Sequence, residues 1–302
     1  MPITYRKASN DDNPATFRVF LQSMLDYSER SGLESITGGH DPEKVKTLWE
    51  RRRLIWEHLA DTCDQYWVAE EEDGEMIGYA RSIVRGDHRE LTEFFVVPGR
   101  QSVGVGRELI TRAFPKDQPN RSIIATTDFR ALARYLKAGV YPFVTEFYFE
   151  RAPEQVEFKS DLGFEIANGK DQALQTVADI DMSILGHRRD PDHFFLMQNR
   201  TLYFYQRDGQ TVGYGYISKG YCGPFALLEK DDFPAILSHA ETQAHRLGAE
   251  AVGFETPTIN TIVIDHLMRR NYRLEGFITS ILSDEPFGKF ENYLLTSPPF
   301  FL

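Results

Sequence analysis

The chain has 302 residues, 41% of them hydrophobic and 26% charged, which is the composition of a globular protein long enough for two domains. Its formal net charge of −11 argues against a nucleic-acid partner, because a phosphate backbone needs a basic face. With two cysteines, no signal peptide and no run of about 20 apolar residues, we expect no disulfide framework, no membrane span and a cytoplasmic location.

The first half of the chain is predicted to alternate short strands with amphipathic helices. The expected elements are, in chain order, a strand at 3–6, helices at 14–27 and 42–59, and strands at 66–70, 76–84 and 90–97. Tyr27, Trp49 and Trp56 lie on the two helices, where they either contact a substrate or belong to the core.

A glycine-rich turn at 101–106 follows the last of these strands and opens a predicted helix. Unpaired amide groups and the helix dipole make such a strand–turn–helix junction a site for anions. Gly104 and Gly106 would let a phosphate approach the backbone. The turn is not a P-loop, since Arg107-Glu108 stands where Lys-Ser or Lys-Thr is needed, and it lacks the third glycine of a dinucleotide fingerprint. We therefore expect a phosphorylated cofactor near residue 101.

The next strand and helix carry a second signal. A buried strand is expected at 122–126, and the helix after it begins at Asp128 and ends at Gly139. With Ala131 and Tyr135 in register, this segment and the glycine turn resemble the two signatures of the GNAT acetyltransferase superfamily, Arg/Gln-x-x-Gly-x-Gly/Ala and Asn-x-x-Ala-x-x-x-Tyr-x-x-x-Gly-Phe. Asp128 replaces the usual Asn, and its charge leaves its contact with an anionic cofactor open.

The resemblance implies an α/β fold with a mixed, mostly antiparallel twisted sheet flanked by helices, and acetyl-CoA as co-substrate. The residues that it places against acetyl-CoA are Phe95, Val96, Val97, Gln101, Ser102, Val103, Gly104, Val105, Gly106, Arg107, Asp128 and Ala131. It also implies that adjacent strands splay apart beside the thioester. Tyr135 matches the family's usual acid for the leaving thiolate. For the base, Glu93 is the first candidate, and His88 and a chain of water molecules are the alternatives.

The chain also repeats itself. Residues 73–80 are echoed by residues 208–215, at an offset of 135, and the segment from Asn260 parallels the helix from Asp128 at an offset of 132. Two offsets this similar predict a duplicated domain. We place the first copy at 1–150 and the second at 151–302, which looks like a tandem GNAT arrangement.

The second copy lacks both cofactor signatures. Residues 227–234 contain three carboxylates and no glycine, and Leu267 stands at the position of Tyr135. Carboxylates would repel a pyrophosphate. We therefore expect a catalytic first domain that binds acyl-CoA and a degenerate second domain without the pyrophosphate loop.

These features predict an acetyl-CoA-dependent N-acetyltransferase that acts on a small-molecule amine. One alternative is O-acyl or aminoacyl transfer on the same scaffold, as in tandem proteins that resemble mycothiol synthase, and another is an acyl-CoA-binding sensor or scaffold without turnover. The eight histidines show no metal-binding spacing, so no metal is assigned. The apolar tail at 297–302 is expected to dock on its own domain or on a second subunit, which leaves a homodimer open.

Overall fold

The computed structural model describes residues 2–33, 37, 39–100, 104–117 and 119–302. The chain forms two compact units. Unit 1 comprises Met1–Tyr141 and Leu282–Glu285, and unit 2 comprises Pro142–Ile281 and Pro286–Leu302. The predicted ranges 1–150 and 151–302 remain our proposal for the extent of the two repeats. Among the described residues, no helix is both long and apolar enough to cross a membrane.

Unit 1 has a sheet whose strands follow the order of the chain. Its elements are β1 (Thr4–Lys7), α1 (Asn13–Ser31), α2 (Pro42–Asp61), β2 (Cys63–Glu70), β3 (Met76–Arg85), β4 (His88–Val96), α3 (Val105–Ala113), β5 (Arg121–Thr126) and α4 (Phe129–Ala138). Strands β1 to β4 are paired antiparallel, and β4 pairs with β5 in parallel. The mixed, mostly antiparallel sheet with flanking helices is the predicted fold class.

The helices begin and end where the sequence places caps. The side chain of Asp41 accepts hydrogen bonds from two backbone amides of the first turn of α2, and Pro42 is the first residue of that helix. Helix α4 has Asp128 as its N-cap and ends at Gly139, whose φ of 82° is left-handed. Helix α1 continues to Ser31, one turn beyond the prediction, because Gly32 supplies the left-handed C-cap there.

Unit 2 contains a similar succession of strands and helices, with further strands at its start and its end. These are β6 (Tyr141–Arg151, of which Tyr141 belongs to unit 1), β7 (Gly163–Ile166), α5 (Lys170–Ile184), α6 (Asp190–Asn199), β8 (Thr201–Arg207), β9 (Gln210–Ile217), β10 (Cys222–Leu227), α7 (Phe233–Arg246), β11 (Val252–Pro257), α8 (Thr261–Arg269), β12 (Arg273–Ser283) and β13 (Tyr293–Leu294). Strands β7, β8, β9, β10 and β13 form one antiparallel series, and β6 pairs antiparallel with β11.

Equivalent hydrogen bonds show how the two units correspond. At the end of β4, the Val97 amide donates to the carbonyl of Ile77 at 2.9 Å. At the end of β10, the Leu228 amide donates to the carbonyl of Val212 at 2.8 Å. Strand β10 is thus the counterpart of β4, and by chain order α7, β11 and α8 are the counterparts of α3, β5 and α4.

Unit 1 is closed by four residues from late in the chain. Strand β12 belongs to unit 2 as far as Ile281, and from Leu282 onward it belongs to unit 1. Leu282 is fully buried in the core that α3 and α4 form with the sheet. Asp284 accepts hydrogen bonds from the backbone amide and the side chain of Arg121, at 2.8 and 3.0 Å. These residues are therefore an integral part of unit 1.

Candidate active site

Unit 1 contains a cleft at the point where two parallel strands separate. Pairing between β4 and β5 is limited to three residues and stops at Leu91 with Ile123. Beyond that point β4 runs on to Val96 and β5 to Thr126 without pairing to each other. The opening between them encloses about 490 Å³ and is lined by both strands, α1 and the start of α4. The strands therefore splay as the resemblance implied.

The backbone of β4 faces this cleft at alternate residues. Because antiparallel partners alternate, the bond from Val97 to Ile77 makes Phe95 with Tyr79 the next hydrogen-bonded pair along the ladder. The polar groups of Phe94 point the other way, toward β5. The Val97 amide, which the sequence placed against the cofactor, is used within the sheet, and Phe94 is a cleft residue that the sequence analysis did not name.

The glycine turn leads into the N-terminus of α3. Its first three residues, Gln101, Ser102 and Val103, lie outside the described residues. Gly104 is the N-cap, with a φ of 93°, a backbone conformation that other residues rarely adopt. A Cβ at Gly106 would lie 3.0 Å from the Phe94 ring. Glycine is therefore needed at the two positions for different reasons. Gly104 adopts a left-handed backbone conformation, and Gly106 leaves room for the Phe94 ring.

The start of α3 presents backbone amides that no helical carbonyl can reach. Val105 and Gly106 occupy the first two positions of the helix, where N–H groups have no partner one turn earlier. Arg107 follows and is 71% exposed at the side chain, with only a 3.5 Å contact to Glu108. The helix end thus offers two amides, a helix dipole and a cation to an anion.

Tyr135 is a buried tyrosine in the wall of the cleft. The residue is 6% exposed, lines the cleft from α4 and stacks edge-on against Phe94 at a centroid distance of 5.9 Å. Its hydroxyl makes no hydrogen bond to any residue that the structure describes. Burial, with a smaller contribution from Asp128, raises the pKa of Tyr135 above its ordinary value. The phenol therefore stays protonated at neutral pH and can donate a proton or a hydrogen bond inside the cleft.

Four charged side chains form a closed ring beside the cleft. Arg30 pairs with Asp26 and Asp128, both at 2.8 Å, and Arg130 pairs with Asp26 at 2.9 Å and with Asp128 at 3.6 Å. Burial raises the pKa of Asp128, but hydrogen bonds from Arg30 and from the Arg130 amide outweigh it and bring the pKa below its ordinary value. The charge of Asp128 is therefore balanced within the protein, and its side chain still caps α4.

Arg134 adds an uncompensated positive charge. It lines the cleft one helical turn after Arg130, on the same face of α4. Among the residues that the structure describes, Arg134 has no carboxylate partner. Nothing in the sequence singles out Arg134, because exposed arginines are common on amphipathic helices.

Glu93 lies in the cleft wall, but its carboxylate is engaged by its neighbours. One carboxylate oxygen accepts a hydrogen bond from the Tyr79 hydroxyl at 2.9 Å, and the other is paired with Arg81. The Glu93 and Arg81 side chains are both 0% exposed, and Arg81 also donates to the backbone carbonyl of Trp56. An acceptor molecule would therefore reach this carboxylate only through an intermediary.

The other candidate residues fall into two groups. The His88 ring is bonded to the Ser122 hydroxyl at 2.7 Å, and it is not among the residues that line the cleft. Trp56 is 0% exposed and packs edge-on against both Phe17 and Phe20, so it is a core residue. Tyr27 does line the cleft, where its hydroxyl bonds that of Thr127 at 2.9 Å.

The remaining predicted cofactor residues are placed as follows. Ala131 and Val96 line the cleft, and the Ser23 hydroxyl donates to the Val96 carbonyl at 3.2 Å. Phe95 also lines it, with its ring packed edge-on against Phe20. Arg100, directly before the glycine turn, pairs with Glu71 at 2.8 Å.

A splayed parallel strand pair followed by a helix N-terminus is the arrangement that the resemblance implied for an acyl-CoA-binding transferase. The model of the acetyltransferase (GNAT) family matches residues 28–139, so this segment belongs to that family. The match covers α2, β2 to β5, α3 and α4, and it includes β4, β5 and the start of α4, which line the cleft. GNAT acetyltransferases use acetyl-CoA as the acyl donor.

Solved structures extend the likeness to the whole chain. A protein from Pyrococcus horikoshii with a provisional acetyltransferase assignment superposes with a TM-score of 0.70 at 16% identity, covering 96% of this chain and 92% of its own. A GCN5-related N-acetyltransferase from Sphaerobacter thermophilus gives 0.59 at 15%, covering 96% and 98%. A tandem GNAT protein from the clavulanic acid biosynthesis pathway gives 0.59 at 11%, covering 94% and 99%. The chain thus has a tandem GNAT fold. No curated protein matches the sequence.

Proposed function

We propose that this protein is an acetyl-CoA-dependent N-acetyltransferase that acetylates the amine of a small molecule, and that the chemistry takes place in unit 1. The observation that carries the proposal is Tyr135, which lines the cleft between β4 and β5 and whose hydroxyl makes no hydrogen bond to the described protein. A group of this kind suits a reaction that releases a thiolate and needs a proton donor.

The proposed donor site runs from the gap to the helix N-terminus. The unpaired stretches of β4 and β5 leave room for an extended pantetheine arm, with the backbone of Phe94 available as a partner. The amides of Val105 and Gly106 and the side chain of Arg107 would hold the pyrophosphate, together with the turn residues Gln101, Ser102 and Val103. Arg134 is placed to add a contact with an anionic group.

The proposed reaction is a direct transfer. The acceptor nitrogen bonds to the thioester carbonyl carbon, the carbon–sulfur bond breaks, and Tyr135 gives its proton to the sulfur. The amine proton leaves to Glu93, reached through water because Arg81 and Tyr79 occupy its carboxylate. Backbone amides at the splay stabilise the oxygen that becomes negative during the attack. Acetyl-CoA supplies the activated acetyl group.

Two measurements test this proposal. Acetyl-CoA should raise the melting temperature of the wild-type chain, and Gly104→Glu should abolish that shift, because its side chain brings a negative charge to the anion site. A thiol-release assay over a panel of amines, alcohols and aminoacyl acceptors should then show turnover with an amine.

The outcomes separate the alternatives. Binding without turnover on any acceptor would indicate a sensor or scaffold, and turnover only with hydroxyl or aminoacyl acceptors would indicate the other transferase chemistries. The absence of any shift with acetyl-CoA or CoA would contradict the donor site itself.

A further inference from the structure

Unit 2 has no counterpart of the open cleft, because its own chain fills that place. Strands β10 and β11 correspond to β4 and β5, and the segment Tyr293–Ser297 (the inserted segment) lies between them. Its first two residues form β13, which pairs antiparallel with β10 through Tyr293 opposite Ala226 and Leu294 opposite Phe225. On the other side, the Leu295 amide donates to the Glu255 carbonyl of β11 at 3.2 Å. The inserted segment is thus hydrogen-bonded to both strands.

Two residues beside the inserted segment, Gly223 and Arg200, allow its close approach to β10 and hold it there. A Cβ at Gly223 of β10 would lie 2.4 Å from the Leu295 carbonyl oxygen, so only glycine allows the two backbones to approach this closely. Arg200 donates to the carbonyls of Ser297 at 2.9 Å and Cys222 at 3.2 Å, which ties the segment to the strand beside it.

Two asparagines hold the entry of the inserted segment. Asn292 donates to the Leu227 carbonyl at the end of β10, at 2.7 Å. Asn260, the N-cap of α8, donates to the Glu291 carbonyl at 2.8 Å. The segment is therefore anchored to the end of β10 by Asn292, the residue that precedes it, and to the start of α8, the helix that corresponds to α4 in unit 1, by Asn260.

The inserted segment is part of the core of unit 2. Tyr293, Leu294 and Thr296 are 0% exposed, and Leu295 is 1% exposed. All residues of β10 and β11 are buried as well. A chain that shares backbone hydrogen bonds with both neighbours and is excluded from solvent behaves as a strand of the sheet.

We propose that the gap between β10 and β11 is a peptide-strand binding site, filled in cis by the inserted segment. Its ligand class is an extended peptide that bonds through its main chain to both strands, with Leu294 and Leu295 as apolar anchors. Where unit 1 holds an acyl donor, as proposed above, unit 2 holds its own chain. One chain then binds one acyl-CoA.

Hydrogen exchange of the full-length protein tests the occupancy. The amides of Leu295 and Ser297, both of which donate within the gap, should exchange on the order of 10³-fold more slowly than unstructured chain, as in core strands. Acetyl-CoA should leave their rates unchanged. Exchange as fast as that of unstructured chain would overturn the proposal.

Complementation tests the binding site itself. Leu294→Glu in the full-length chain puts a charge into the core and should lower the melting temperature, and a peptide of residues 291–298 should restore it. The same peptide carrying Leu294→Glu should not. Lys289→Ala, at an exposed residue four positions before Tyr293, is the matched control and should behave as wild type.

The two proposals fail in different ways. If the peptide binds and rescues but acetyl-CoA does not bind, the function proposed for unit 1 is wrong and the strand site stands. If acetyl-CoA binds with a stoichiometry of two per chain, or if Leu294→Glu melts as wild type does, the strand site is wrong. Should Leu294→Glu fail to fold, the exchange rates of the wild-type segment still decide the matter.

Discussion

Glu93 and Arg81 form an ion pair in which neither side chain is exposed to solvent. Taking two charges out of water is unfavourable, and only their mutual attraction and their further hydrogen bonds offset it. Removing one partner leaves the other charge buried alone. The pair therefore affects the stability of the folded protein, in addition to any part that Glu93 takes in the reaction.

We expect Glu93→Leu to destabilise the protein by about 3–5 kcal/mol, as is typical when one member of a buried pair is removed. The double variant Arg81→Met/Glu93→Leu should recover much of that loss, because no charge is left unpaired. Urea unfolding of the two variants measures the difference. If the double variant folds and still turns over substrate at the wild-type rate, Glu93 is not the proton acceptor.

Tyr135→Phe should leave the stability nearly unchanged, because the hydroxyl makes no hydrogen bond to the described protein. As the proposed acid, its loss should lower kcat by about 10²-fold or more, with little change in the Kd of acetyl-CoA. Tyr141→Phe, at a residue that is 57% exposed, is the matched control. Equal kcat values for the two variants would contradict the assignment of Tyr135.

Gly104→Ala should lower the free energy of unfolding by about 1–2 kcal/mol, because alanine is strained at a left-handed φ. Gly74 is a fair control, since its φ is 83° and, as at Gly104, an added Cβ would meet nothing within 4 Å. Both variants should melt earlier by a similar amount. Only Gly104→Ala should also weaken acetyl-CoA binding, measured by calorimetry, because its methyl group projects at the start of α3.

Asp128→Asn should keep the N-cap of α4, since asparagine caps as well as aspartate does, whereas Asp128→Ala should cost about 1 kcal/mol. The Asn variant loses the partially exposed ion pair with Arg30, which contributes little to stability. We therefore expect Asn to melt close to wild type and to keep its KM for acetyl-CoA. A large loss in both variants would instead assign importance to the carboxylate charge.

Glu146 predicts a pH dependence of stability. Burial raises the pKa of Glu146 to about 8. A hydrogen bond from the Thr279 hydroxyl lowers this pKa, but by less than burial raises it. Above the unfolded pKa of about 4.3 the unfolded chain releases this proton while the folded chain keeps it. The contribution of Glu146 to the free energy of unfolding is therefore largest at low pH. It decreases as the pH rises and stops decreasing at about pH 8.

Melting temperatures at pH 5.5 and 8.5 test this dependence. Glu146→Gln should be more stable than wild type at the higher pH and should flatten the decline between the two values. Glu250→Gln, at an exposed residue, should not alter the decline. Burial, and to a smaller extent Glu146, raises the pKa of Glu255 as well. Glu255 therefore also makes the stability of the protein fall as the pH rises.

Local patterns predicted most elements but could not predict which way Glu93 points. The Asp-Gly hairpins, the capped helix from Asp128 and the glycine turn all depend on neighbours in sequence. The orientation of Glu93 depends on a β-bulge, since Arg81 lies opposite Glu93 while Ser82 lies opposite Leu91, and the residue between them breaks the alternation of the strand. No local pattern announces that extra residue.

Contacts far apart in sequence were equally beyond prediction. The sequence analysis made a prediction only for the tail at 297–302, whose Phe301 and Leu302 are each 1% exposed, and none for residues 293–296, which are buried beside β10 of unit 2. Neither Gly223 nor Arg200 stood out in the sequence, because the partner that explains both of them lies many residues away along the chain.

The path of the chain constrains the order in which the protein can be completed. Unit 1 starts at the first residue, yet it needs Leu282 for its core and Asp284 for Arg121. During synthesis, after Tyr141 has been added to the chain, residues 142–285 must still be translated before these contacts can form. Unit 1 therefore cannot complete its core until residues 282–285 have been synthesised. Ribosome-bound chains stopped at residue 150 should be sensitive to protease, whereas chains released past residue 285 should not be.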